Sequence, residues 1–128
     1  MYDYLYLLDS DHAVTTADYS TTEVYFGRDN PNVGKSGMFG LHVIITTSFG
    51  NMTEGMDIQI CSDSTASATT VIASRHLAVA EMTAGKHFYI PAPPSIAGYC
   101  RARWNVTSTA ANAGKLTGYF GEPGQGAD

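Results

Sequence analysis

Gly34-Lys35-Ser36 has the residue types that close a phosphate-binding loop, in which backbone amides and a lysine cradle a phosphoryl group. That loop needs a glycine five positions before Gly34, and this chain has Asp29 there. No helical pattern follows to aim amide groups at an anion, so the segment reads as a surface turn. The histidines are His12, His42, His76 and His87, with no pair at metal-ligand spacing within one strand or helix. Asp9, Asp11 and His12 carry atoms that suit a cation, but aspartates so clustered ordinarily cap backbone N–H groups in a turn. His42 and His87 fall in strand-like runs, where a histidine is ordinarily solvated or hydrogen-bonded at the surface. Serine, histidine and aspartate are all present, yet no Gly-x-Ser-x-Gly elbow marks a nucleophile. Cys61 and Cys100 form no Cys-x-x-Cys pair and read as two reduced, half-buried thiols. Arg101 adjoins Cys100, but strand alternation turns its charge away from the thiol. The residues therefore point away from an enzyme, and toward no metal and no cofactor.

With chemistry set aside, the elements that could build a surface come forward. The chain has 128 residues, room for one domain, and a domain of that size hides roughly two-thirds of its unfolded surface. Charged residues make up 15%, too few for a charge-rich disordered chain. Seven Lys+Arg against twelve Asp+Glu give a net charge of -5, which repels phosphate backbones and argues against nucleic acid as a partner. No run reaches the roughly 18 apolar residues of a membrane-spanning helix, so no membrane partner is expected. Met1 to Leu8 is apolar but lacks a basic flank and contains Asp3, unlike a secretory signal.

Periodicity is mostly two. Met56, Ile58 and Ile60 alternate with Asp57, Gln59 and Cys61. Cys100, Ala102, Trp104 and Val106 alternate with Tyr99, Arg101, Arg103 and Asn105. Leu41, Val43 and Ile45 interleave with His42, Ile44 and Thr46, as in a strand covered on both sides. Shorter strands are expected at 23–27, 87–90 and 115–120, and a further one over 71–84. Turn clusters fall at 28–37, 48–55 and 62–69, and Pro91 to Pro94 is expected to be a loop because its prolines cannot donate to a ladder. Together these runs predict an antiparallel β-sandwich or barrel.

Two surface features stand out. Arg101 and Arg103 should project side by side from one wet strand face near Tyr99, as a docking patch or as an ordinary solvated face. Tyr2, Tyr4 and Tyr6 place three rings on one side of an extended N-terminal segment that continues through Leu7. Such a segment suits an interface, or else an edge strand packed on its own domain. The expected division is a contact arm at 1–12, a sandwich at 13–120 and a flexible tail at 121–128.

The order of these pieces resembles the capsid cement proteins of short-tailed phages, of the Bordetella-phage type. The resemblance is carried by Leu8, Ser10, Asp11, Ala13, Val14 and Thr15, then Ser20-Thr21 and Gly27. It continues through Leu41, Val43, Ile45, Ile58, Ile60 and Ser62-Asp63-Ser64. It closes on Ala84-Gly85, Phe88, Ile90-Pro91, Tyr99 to Val106 and Gly114 to Gly118. It implies a single-domain, jelly-roll-like β-sandwich that binds the outer surface of an icosahedral head in the virion and bridges major capsid subunits. It also implies that the protein pairs with itself, as a homodimer at two-fold positions or as a trimer. Tyr2, Tyr4, Tyr6, Leu7, Tyr99, Arg101 and Arg103 are the expected interface residues. The rival expectation is a carbohydrate-binding β-sandwich of a phage tail, with Trp104 and exposed tyrosines as stacking platforms.

Overall fold

The alternating runs become strands whose dry faces meet. A computed structural model describes residues 7–25, 40–93, 97–107, 109–111 and 113–121. Tyr2, Tyr4, Tyr6, the Gly34-Lys35-Ser36 turn and the tail beyond Gly121 lie outside the described residues. The strands are β1 (Leu7–Ala13), β2 (Asp18–Tyr19), β3 (Val24–Tyr25), β4 (Gly40–Gly50), β5 (Met56–Asp63), β6 (Val71–Leu77), β7 (His87–Pro91), β8 (Tyr99–Val106) and β9 (Ala113–Gly121). One sheet has the order β1-β9-β4-β7 and the other β2-β8-β5-β6. β2 lies against Trp104 and Arg103 while β3 lies against Cys100 and Tyr99, so the two act as one interrupted edge along β8. All pairs are antiparallel, and the chain passes repeatedly from one sheet to the other. This is the expected jelly-roll sandwich.

The core forms where inward rows meet. Met56, Ile58 and Ile60 of β5 and Cys100, Ala102 and Trp104 of β8 face Leu41, Val43 and Ile45 of β4 and Leu116 and Phe120 of β9, all fully buried. Trp104 is long enough to cross the sandwich. A Cβ at position 118 of β9 would sit 2.4 Å from the indole Cη2, so only glycine admits the ring. The indole Nε1 donates to Asp9 Oδ2 of β1 at 2.8 Å, and Thr21 N donates to Asp9 Oδ1 at 3.0 Å. Leu8 in the core and Asp9 on the core Trp104 turn to the same side, whereas successive residues of a regular strand point to opposite faces. Register shifts on either side of Asp9 make it possible, since a bulge re-aims a side chain.

Several expectations change. Positions 7–12 of the expected arm lie in β1, paired with β9 through Leu7↔Tyr119, Asp9↔Gly118 and His12↔Leu116. Leu7 to His12 therefore belong to the sandwich, and Asp9 to His12 is strand rather than turn. The strand expected over 71–84 stops at Leu77. A 3-10 turn at Val79–Glu81 then carries the chain toward the other sheet, with Glu81 Oε1 accepting the Ala78 N–H at 2.9 Å. Pro91 pairs with Gly40 as the last residue of β7, which an edge strand tolerates.

The edges are guarded. β2 and β3 have two residues each, β1 is bulged, and β7 ends in proline. β6 is longer, but Arg75, paired with Ile58 on the core-side row, holds its guanidinium 5.1 Å from the Phe88 ring centroid. A cation on the inward row of an edge strand discourages another strand from adding there.

Gly118→Ala forces a methyl group into the indole, and overpacking of this kind costs about 1–3 kcal/mol. Urea titration followed by the fluorescence of Trp104, the sole tryptophan, should show the midpoint fall accordingly. Arg75→Ile should leave the circular dichroism spectrum unchanged but produce larger, concentration-dependent species in sedimentation velocity.

Candidate functional site

Alternation along β8 sends Tyr99, Arg101, Arg103 and Asn105 to the outer face of its sheet, as the sequence pattern requires. Cross-strand pairing then supplies their neighbours. Tyr25 lies opposite Tyr99, and the two rings stack at 4.5 Å with an interplanar angle of 26°. Tyr25 is 59% exposed, the most open of the large apolar or aromatic side chains described. Tyr19 lies opposite Arg103, and both arginines face its ring, Arg101 at 3.8 Å from the centroid and Arg103 at 5.4 Å.

The arginines share a face but not a role. The Arg101 side chain is only 16% exposed. Its Nε donates to Ala68 O at 2.7 Å and stands 3.9 Å from Glu23 Oε2. The Glu23 carboxylate also accepts the N–H groups of Ser67 at 2.8 Å and Ala68 at 2.7 Å. Arg101 is thus a brace that ties the 64–70 loop to β8, whereas the sequence reading has both arginines project from a wet strand face. Asp63 takes up the other end of that loop, accepting Thr69 N, Thr70 N and Thr70 Oγ1 at 2.8, 3.2 and 2.7 Å. These bonds hold its carboxyl below the usual range. No local pattern marks Tyr19 and Glu23 as partners of the arginines. Both come from segments far from β8 along the chain, and only the pairing of β2 and β3 brings them there.

Beneath the arginines lies Cys61, fully buried. Burial pushes its thiol up, partly offset by the charges of Arg103 and Arg101. Cys100 projects from the opposite side of the sheet into the core, where burial raises its thiol further. Both thiols are free and buried rather than half-buried.

The second outer face carries aromatic rings. His42 stacks on Tyr119 with centroids 4.8 Å apart and planes 4° from parallel, and its Nδ1 shares a hydrogen bond with His87 Nε2 at 2.9 Å. His42 is therefore hydrogen-bonded, but buried rather than at the surface. Tyr89 packs against it at 4.7 Å, and burial raises the phenol's pKa.

Leu7, Leu8, Asp9, His12, Thr21 and Thr22 line a shallow, open depression of about 250 Å³. Its aspartate and histidine are already engaged. Asp9 holds Trp104 and Thr21, and His12 Nε2 lies 3.2 Å from Asp18 Oδ2. The hydroxyls of Ser20, Ser48 and Ser62 all bond to backbone groups. Among the described residues, no group of three or more His, Cys, Asp and Glu comes together in a way that could hold a metal ion. Nor is any helix among them long and apolar enough to cross a membrane.

What the arrangement offers is a braced face of tyrosines and arginines, residue types enriched where proteins bind one another. Residues 8–120 match the Bbp16 family, a Bordetella phage protein family, and the chain belongs to it. No curated protein matches the chain.

Thiolate is the reactive form of cysteine, and both thiols are held neutral and covered. The folded protein should therefore give no rapid reaction with a chromogenic disulfide reagent, whereas protein in denaturant should titrate both cysteines at once.

Proposed function

We propose that this member of the Bbp16 family is a structural cement protein of a phage head, made in the host cytoplasm and mounted on the outside of the shell. It binds the outer surface of an icosahedral capsid, spans neighbouring major capsid subunits and performs no reaction. The observation that carries this reading is the family match over residues 8–120. The chemistry of the surface supports it. A net charge of -5 suits the outside of a shell better than contact with packed DNA. Guarded edges leave faces and loops, rather than strand addition, as the means of attachment.

The mechanism is mechanical. A clamp that binds only the assembled neighbourhood stabilises that neighbourhood by its own binding free energy. Paired copies make the second contact effectively intramolecular, so release slows. Neither nucleic acid, membrane nor cofactor takes part. The carbohydrate-binding alternative loses its main platform, because Trp104 is 0% exposed.

The test adds purified protein to heads that lack it. Saturable co-sedimentation, at a copy number comparable to the major capsid protein, and a higher temperature of head disruption are expected. Recovery only in free or tail fractions would overturn the proposal.

A further inference from the structure

Nearly every charge on the outer face of the β8 sheet is matched. Arg101 faces Glu23, Asp57 Oδ1 meets His76 Nδ1 at 2.7 Å, and Asp63 caps its loop. Arg103 is the exception. Among the described residues no carboxylate lies within ion-pair distance of it, and its Nε is buried without a hydrogen-bond partner. Gln59, directly across on β5, likewise has a buried Oε1 with no partner. Withdrawing that Nε–H from water without an acceptor is unfavourable. Val or Thr would suit a mid-strand position without that cost.

Arg103 is also held in place. Arg101 presses on the Tyr19 ring from 3.8 Å, and the same ring supports Arg103 at 5.4 Å. A cation so supported loses little rotamer freedom when it is engaged. The planar guanidinium fork matches a carboxylate or a phosphate, and the net charge of -5 disfavours the phosphates of nucleic acid.

The geometry points to Arg103 as a preformed receptor for a carboxylate side chain of a partner protein, with Tyr19, Tyr25 and Tyr99 supplying contact area around it. This rests on the cement reading for the partner's identity, namely an Asp or Glu displayed on the capsid's outer surface. It divides the two arginines, since Arg101 holds the fold while Arg103 holds the partner.

Full-length Arg103→Gln, Arg103→Lys and Arg101→Gln variants test it. Arg103→Gln should melt close to the parent yet bind heads about tenfold more weakly, with a shallower salt dependence. Arg103→Lys should recover only part of the binding, because an ammonium lacks the fork. Arg101→Gln should lower the melting temperature by freeing the Glu23 and Ala68 partners. A second measurement does not depend on heads: the Arg103 Nε–Hε resonance should shift on titration with acetyl-Glu-Glu-Glu-amide at low salt, and not with its glutamine counterpart. A parent that ignores heads while the resonance still shifts would sink the cement reading alone. Equal head binding by Arg103→Gln at every salt concentration would overturn the Arg103 assignment. So would a resonance indifferent to the acidic peptide, or a loss of self-association in place of head binding.

Discussion

Trp104 is the side chain on which the two sheets depend. It starts from β8, crosses the core to the bare backbone of Gly118 and ends in a hydrogen bond to Asp9. A carboxylate in this position is unfavourable unless its oxygens are engaged, and Trp104 and Thr21 engage one each. The remaining peculiarities follow. β9 must carry glycine where it passes the indole. β1 must bulge so that Asp9 joins Leu8 inside. The turn after β2 must bring Thr21 N to the second oxygen. Breaking any of these leaves a buried acceptor without a donor, at a cost of about 1–3 kcal/mol.

That same bond explains where the sequence was legible and where it was not. The alternation in 56–61 and 99–106 was enough to define β5 and β8, their inward rows and the outward placement of Arg101 and Arg103, because period two is a local property. β1 was hidden because Asp9-Ser10-Asp11-His12 has the local chemistry of a turn, and the interaction that overrides it lies 95 residues away. His42 misled for the same reason, since its His87 partner arrives only through the pairing of β4 with β7. For the candidate site, alternation supplied the face, but Glu23 and Tyr19, which separate a bracing arginine from an available one, are set by topology.

The inclusion of β1 in the sheet alters how contact can be made. A free arm spanning 1–12 would have offered an extended segment to order on a partner. With Leu7 to Ala13 committed to β9 and the edges bulged, shortened, capped by proline or guarded by Arg75, the described part of the chain presents faces rather than strands. Faces bind through side chains, and a side chain binds best when it is already still. The outer face of the β8 sheet meets that condition, because Glu23, Asp63 and Arg101 lock the 64–70 loop and Arg101 in turn fixes Tyr19.

On the cement reading, the charge distribution completes the argument. A protein with a net charge of -5 repels its own copies at long range, which keeps it dispersed before a shell is present. Beyond a Debye length of about 8 Å that repulsion is screened in physiological salt, and the local field at contact belongs to nearby groups. There Arg101 is already matched by Glu23, and Arg103 is not matched by any described carboxylate. One unmatched cation on an otherwise neutralised, rigid face adds little general stickiness, yet it rewards a surface that offers a carboxylate in register with the surrounding tyrosines. Selectivity for an assembled lattice then needs no moving part: a single subunit offers one such contact, and an ordered array offers them at the spacing that paired copies can span.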